Sequence, residues 1–416
     1  MRTTIHRLLA LATAATLATG ALANTTLTVA SFPSFDESVK LAIPLYKKVH
    51  PEIDIKLVSL SFNDHHNAMT TALATGAGVP DVMGIEISYI GKFAESKGLE
   101  DLGGPPYNGK ALQPIFHSWA YAQGVDAAGE LVAIPADVGP GTLFYRKDIL
   151  DKAGVTIEDM TKSWENFIAD GKKIREKTGA YTVTGAGDIF TVYIRSTVKP
   201  GEDLYFDKNG ESQLLTPRFK KGFELALAAR KADIDGKIGP WSNEWREGFR
   251  RDALATQMMG SWLAGHLTSW LNPEAAGKWR AAPLPGGAYA SWGGSFYAMP
   301  KKAEHKKEAW DFIKFMTTDK DMQMLAYRKQ GAYPAMAGNL DPAFINEPIA
   351  FLGGQKARLL WANATAKIPA IRVDKYDPVA AELVGGALDD VLEDGKPIDK
   401  ALQEADEKLR KRVRRH

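Results

Sequence analysis

The chain has 416 residues, too many for one ordinary core, and length alone favours two lobes of about 150–200 residues each. Its 52 basic side chains are balanced by 50 acidic ones, so it carries no general field for attracting nucleic acid or an anionic membrane. Hydrophobic residues at 45% and charged residues at 25% read as a globular protein, and the absence of cysteine excludes disulfides, thiolate metal sites, a cysteine nucleophile and a cysteine-linked lipid anchor.

Residues 1–23 are expected to be a cleaved signal peptide rather than part of the fold. Arg2, His6 and Arg7 form a basic start, 8–18 is an apolar run diluted by threonines, and Ala21-Leu22-Ala23 supplies a small-x-small cleavage pattern. The run is too short to span a bilayer, so a free periplasmic protein starting at Asn24 is expected. LTVAS at 27–31 suits a buried strand. A helix is expected over 36–49, ended by His50-Pro51, and IDIKLVSL at 53–60 is a second strand. A helix over 64–75 stops at Gly76 and Gly78, VPDVMGIEI at 79–87 is a third strand, and helices follow at 88–97 and 111–122. Strands alternating with such helices are the pattern of parallel βαβ units, whose ligands bind beyond the carboxyl ends of the strands. That rule nominates the loops 32–35, 61–66 and 86–89.

Two short strands at 131–135 and 142–146 flank ADVGPG, the expected first crossing between lobes. A one-faced helix over 162–177 carries Trp164, Phe167, Ile168 and Ile174, with Gly179 just past its end. A strand at 181–186 leads into Gly185-Ala186-Gly187-Asp188, and DKNG at 207–210 reads as a tight turn rather than a calcium loop. A helix over 217–232 precedes a loop bearing Trp241 and Trp245. Strand-like runs at 256–261 and 295–300 adjoin WLAGH and WGG, and helices at 304–318 and 320–330 follow. The remainder is mostly helical, and the cations of 408–415 read as the complement of a helix C-terminal dipole. The expected division is 24–136 for the first part of the N-terminal lobe, 137–300 mainly for the C-terminal lobe, 301–340 for a return to the N-terminal lobe or hinge, and 341–416 for a helical segment completing the C-terminal lobe.

The chain has no G-x-S-x-G, G-x-x-x-x-G-K, G-x-G-x-x-G or H-E-x-x-H motif. His65-His66 is a sequence pair whose side chains diverge on a helix, so one exposed ring and one touching ligand or protein is the expectation. Asp64, Asp81, Glu86, Asp137 and Asp188 are carboxylates suited either to a glycosidase pair or to accepting hydrogen bonds from sugar hydroxyls. Six of the ten tryptophans, Trp241, Trp245, Trp262, Trp270, Trp279 and Trp292, fall within about fifty residues. Trp164, Trp270, Trp279 and Trp310 are read as core. Trp262 and Trp292, each at a strand edge beside Gly or Ser, serve either as core or as stacking platforms for an apolar sugar face.

The ordered segments LTVASF, HPEIDIKLVSL, TTALATGAGVPDVMGI, IPADVGPGTLFYRKDIL, GSWLAGHLTSWLNPEAAGKWRAAPLPGG, WGGSFYAMPKKAEHKKEAWDFIKFMTT and GAYPA resemble the sugar-binding proteins of bacterial ABC importers. These are the large extracellular solute-binding proteins related to maltose-binding protein, and DVGPG and GSWLAGH look nearest to the branch that takes lactose and other oligosaccharides. The resemblance covers nearly all of the chain after residue 23. It implies an α/β periplasmic-binding-protein-like fold, two Rossmann-like lobes joined by a multi-segment hinge with the ligand cleft between them. It implies a monomer that delivers a carbohydrate (a mono- or oligosaccharide, a galactoside, polyol or acidic sugar) to the transmembrane subunits of an ABC importer. No catalysis, cofactor, metal or nucleic acid is implied. Carried over by position, Phe32, Ser34, Asp64, His65 and Glu86 would line the N-terminal wall and Asp137 the crossing. Gly187, Asp188, Trp262, Trp292, Gly293 and Gly294 would line the C-terminal wall, and Arg372 would meet an acidic group if it faced the cleft. A secreted carbohydrate-active enzyme using paired carboxylates is the alternative from another class.

Overall fold

The computed structural model describes residues 24–413 apart from Ala127, Pro200 and Asn339, so the expected signal peptide and the end of the basic tail lie outside the described residues. One eight-stranded sheet runs through both halves. It is built from β1 (Thr25–Ser31), β2 (Ile53–Ser59), β3 (Val82–Glu86), β4 (Ile134–Arg146), β5 (Thr256–Gly260), β6 (Trp279–Ala282), β7 (Ser291–Ala298) and β8 (Tyr333–Pro334). The order is β2-β1-β3-β7-β4-β5, with β6 and β8 also on β4.

The first half follows the expected βαβ logic. β1 pairs in parallel with β2 from Thr25↔Ile53 to Ser31↔Ser59 and with β3 at Val29↔Val82. The crossovers are α1 (Phe35–Val49) and α2 (Phe62–Thr75), and α3 (Ile87–Glu95) leaves the end of β3. Val39, Ala42 and Tyr46 of α1 are buried at helical spacing under Leu27 and Val29 of β1. α2 starts earlier than expected, because Ser61 caps it by accepting the Asp64 amide, and this absorbs most of the nominated loop 61–66 into the helix. The other strand pairings of the sheet are antiparallel, so the sheet is mixed.

The two short strands expected around ADVGPG are a single strand, β4. Its first part pairs with β7, from Ile134↔Tyr297 to Pro140↔Ser291, and its last part lies between β5 and β6. The ladder with β7 is irregular between Pro135 and Asp137 and again between Val138 and Pro140. Both breaks fall at prolines, which have no N–H to give. The strand expected at 181–186 reduces to isolated bridges, Tyr181 to Leu254 and Val183 to Asp235, and a helix Ala186–Ser196 begins inside it. The helix expected at 111–122 is a 3-10 turn Gly109–Ile115, with Pro114 inside it, followed by a short helix Ser118–Gln123. The turn at 207–210 is as read: the Asp207 carboxylate accepts the amides of Asn209 and Glu211.

Two large cores result. The first joins Val29, Val82, Ile134, Tyr297, Phe312 and Trp361, and the second joins Leu143, Phe167, Ile189, Phe223, Leu388 and Leu409. The helices Asp377–Glu393 and Ile398–Arg412 belong to the second through Val384, Leu388, Leu402 and Leu409. Among the described residues no helix is long and apolar enough to cross a membrane.

Trp164 lies in the second core, edge-on to Phe167 at 6.0 Å and tight against Gly286. Trp164→Ala is expected to cost about 3–5 kcal/mol in denaturant unfolding, since the cavity cannot collapse around so large a ring. The same variant is expected to bind ligand as the unchanged chain does; a large loss of affinity would place the ring nearer the ligand than its packing implies.

Candidate functional site

Where β3 and β4 flank β7, three polar residues fall in one row. Ser295 of β7 is opposite Glu86 of β3 on one side and Asp137 of β4 on the other. Directly opposed residues project to the same face of a sheet, and strands lie about 4.8 Å apart, so the backbones of Glu86 and Asp137 lie about 10 Å from each other across the serine. Glu86 also caps α3, accepting the Ser88 amide at 2.8 Å and the Ser88 hydroxyl. Burial pushes the Glu86 carboxyl up, against the Ser88 hydrogen bonds and the Arg195 charge, which favour the ion. Burial raises Asp137 to about 7. Hydrogen bonds from Ser295 pull the other way, and the Glu86 charge adds to the rise.

Beside this row stand two tryptophans. Trp262 donates its indole N–H to the Trp292 carbonyl at 2.9 Å, so its one polar atom is satisfied by protein and the rest of the ring is an apolar surface. Two glycines make this bond feasible. A Cβ at Gly139 would lie 1.8 Å from the Trp292 oxygen, and one at Gly260 would lie 2.2 Å from the Trp262 nitrogen. Gly293 and Gly294 continue β7 at φ 76° and 133°, conformations that a side chain would strain, and bring the strand close to Trp262 and to Asp137. The Arg195 guanidinium donates to the Ser291 carbonyl at 3.0 Å and lies 5.7 Å over the Trp292 ring. Its Nε is buried without an acceptor among the described residues.

Glu86, Asp137, Trp262, Trp292, Gly293 and Gly294, nominated separately from the sequence, thus come together around the start of β7. Ser34 and Asp64 are exposed beyond the ends of the first two strands, with Ser34 at φ 74° and ψ −46°, close to the strained classic γ-turn. The rest lie elsewhere. Phe32 is buried against Phe35, Phe62 and His66. His65, expected on the wall, is turned into the core, where its Nε2 bonds the Gly84 carbonyl at 2.8 Å. His66 is buried as well, contrary to the expectation of one exposed ring. It stacks on Tyr89 at 4.0 Å, its Nδ1–H goes to the Phe62 carbonyl and its Nε2 accepts the Glu86 amide. Burial pushes its pKa down to about 4, as that accepting nitrogen requires. Both belong to the face of α2 that packs inward, together with Met69 and Ala72.

Gly187 and Asp188 sit in the first turn of a helix, not in a loop. Asp188 is buried, accepts from Thr184 Oγ1 at 2.6 Å and from Gln257 Nε2 at 3.2 Å, and is pushed by burial to about 6. Gln257 in turn accepts from the Trp245 indole at 2.9 Å. Arg372 is exposed, its backbone bonded to Glu202 and its guanidinium on the Lys208 carbonyl at 3.4 Å. Asp81 serves the scaffold, accepting the amides of Thr28, Glu304 and His305. Trp270, read as core, is 39% exposed. Sequence reasoning did not nominate Ser295 or Arg195. Ser295 becomes visible only through its register between two carboxylates, and nothing in FTVYIRS singles out the arginine.

The same outline recurs in known proteins. A family model described as bacterial extracellular solute-binding protein matches residues 29–323. An arabinooligosaccharide-binding protein of Halalkalibacterium halodurans is 27% identical over 386 residues, 88% of this chain and 85% of that one. A lactose-binding protein of Rhizobium radiobacter is 25% identical over 394 residues, 89% of each. A solved extracellular solute-binding protein of family 1 superposes with a TM-score of 0.80 at 21% identity, over 93% of this chain and 99% of its own, a likeness of fold.

The raised Asp137 pKa has a stability consequence with a definite sign. Between the ordinary carboxylate range and about 7, the folded state keeps a proton that the unfolded chain releases, so stability from this group is greatest at low pH and falls as pH rises through that window. Asp188 adds the same sign up to about 6. Asp137→Asn is expected to gain on the unchanged chain in melting temperature from about pH 4 to about pH 8; parallel curves would mean the carboxyl is not held neutral. Gly139→Ala is expected to cost about 1–3 kcal/mol in denaturant unfolding and to shift tryptophan emission, as the Trp262 indole loses its carbonyl.

Proposed function

The chain belongs to the bacterial extracellular solute-binding protein family, a class of binding proteins and not of enzymes, and on that premise we propose that it captures a neutral oligosaccharide of galactose or arabinose units for an ABC importer. The observation that carries the ligand class is the pairing of the Glu86–Ser295–Asp137 row with the Trp262 and Trp292 rings at the junction of the two cores. A sugar ring has an apolar face that stacks on an indole and hydroxyls that need fixed polar partners, and this surface offers both. Carboxyls held half-buried with few protein partners gain most when a ligand hydroxyl becomes their partner. The acidic-sugar variant rested on Arg372, whose exposed guanidinium serves the Lys208 carbonyl, so a neutral ligand fits better.

In this reading, Glu86, Ser295 and Asp137 orient hydroxyls, Trp292 and Trp262 supply stacking, and Arg195 holds the Trp292 strand. Ser34 and Asp64 stand at the rim. The ligand bridges the two lobes and shifts an open–closed equilibrium, and the importer's transmembrane subunits read the closed form. The basic, apolar, small-residue leader supports export, and release as a monomer outside the cytoplasm completes the reading.

A thermal-shift screen of the chain against mono-, di- and oligosaccharides, acidic sugars and polyols tests it. A ligand that binds the folded form alone raises the melting temperature with concentration. A rise with galactosides or arabinosides is expected, and a flat response to all sugars with a rise for metals, amino acids or peptides would refute the ligand class. Trp292→Ala is expected to weaken the bound sugar by about 1–3 kcal/mol in calorimetry.

A further inference from the structure

Aromatic rings run on from Trp262 towards solvent. Trp241 lies beside it, with centroids 5.8 Å apart and planes 20° from parallel, and His266 stands edge-on to the two at 5.5 and 5.7 Å. Trp270 closes the group, edge-on to His266 at 5.8 Å, and donates its indole N–H to His266 Nδ1 at 2.9 Å. Trp241 is 54% exposed, the most exposed of the tryptophans described. A single exposed ring needs no explanation, but two exposed tryptophans joined through a histidine to a half-buried third make a continuous apolar surface.

The backbone holds these rings out. The segment Leu263–His266 is α-helical and then opens to π spacing over Leu267–Leu271. That widening withdraws amide partners from nearby carbonyls, and the hydroxyls of Thr268 and Ser269 take the carbonyls of Ala264 and Gly265 at 2.7 and 2.8 Å. Leu267 and Leu271 stay buried while Trp270 turns outward over His266. Trp241 sits at φ 70°, an unfavourable conformation for so bulky a residue, and such conformations cluster at ligand sites. The Trp270 hydrogen bond also sets the His266 tautomer. Nδ1 accepts, so the proton of the neutral ring is on Nε2, and burial keeps the ring neutral by holding its pKa down.

We propose that Trp241, His266 and Trp270 form a second stacking platform, one ring-step out from Trp262, that takes a further neutral sugar ring of the same ligand, with His266 Nε2–H donating to one of its oxygens. This rests on the carbohydrate reading above and deepens it: the receptor selects for length. Trp270 is a positioning residue for His266 as well as a surface for the outer ring.

Calorimetric titration of the full chain with galactose, lactose, arabinose and arabinotriose tests the platform. The longer sugar of a bound pair is expected to bind at least about tenfold tighter than its monosaccharide. Trp270→Ala and His266→Ala are each expected to lose about tenfold on the longer sugar and nothing on the monosaccharide, whereas Trp292→Ala weakens both. Trp270→Phe, which keeps a ring and drops the donor, stands in should the alanine variant fail to fold, and it is expected to lose part of the same preference. Equal affinity for short and long sugars, or unchanged binding of the longer one by the Trp270 and His266 variants, overturns the platform and leaves the sugar reading standing. No binding of any of the four overturns the ligand class itself and the platform with it.

Discussion

β4 exchanges its hydrogen-bond partners at Pro140. Before that residue it pairs with β7 and β8, and after it with β5 and β6, so one extended strand belongs to both halves of the molecule. A proline cannot donate to a ladder, and here its missing N–H falls where one ladder stops and the other starts. The site depends on this exchange. It sets Asp137 on the β7 side of the junction, opposite Ser295, and leaves Gly139 at the point where the Trp292 carbonyl comes within reach of Trp262. A glycine there is a steric requirement, since a Cβ would occupy the place of the carbonyl oxygen.

The junction is also where polar groups are held in poor solvation. Glu86 and Asp137 share a row with one serine and feel each other's charge, and burial raises both. Such groups lower the stability of the fold at neutral pH, and in the function proposed above further hydrogen bonds from ligand hydroxyls offset that cost. The aromatic surface works in the other direction. Trp262 has its N–H satisfied by protein and Trp270 has its own satisfied by His266, so what the two rings present is their apolar faces alone. Stacking on such faces tolerates many sugars. In the function proposed above, discrimination falls to the few fixed polar atoms, namely the carboxyl row and the Nε2–H of His266.

How far the sequence was legible follows from the range of the forces involved. The run β1-α1-β2-α2-β3 was readable within a few residues of each boundary, because alternation, helical spacing and breakers such as His50-Pro51 act locally. Glu86, at a strand end, and Asp137, in the crossing, were nominated for the same reason. His65 was misplaced because it was taken with a wall-lining loop, whereas it shares the buried face of α2 with Met69 and Ala72, four and seven residues on, and its ring bonds the Gly84 carbonyl. Trp270 was read as core because a ring of that size usually lies inside, and in the π segment Leu267–Leu271 it lies outside instead, 39% exposed.

The sequence by itself determined the class of the fold, the parallel pairing of its first three strands and the residue types available for binding, since these rest on periodicity, composition and ordered motifs. Only the tertiary structure decided which of those residues meet. The continuity of β4 through two prolines, the serine shared between Glu86 and Asp137, the reach of Arg195 to Trp292 and the displacement of Arg372 to Lys208 all depend on registers and packings between segments far apart in the chain. Such contacts leave no local pattern, because each is fixed by where a partner strand or helix ends and not by the residues beside it.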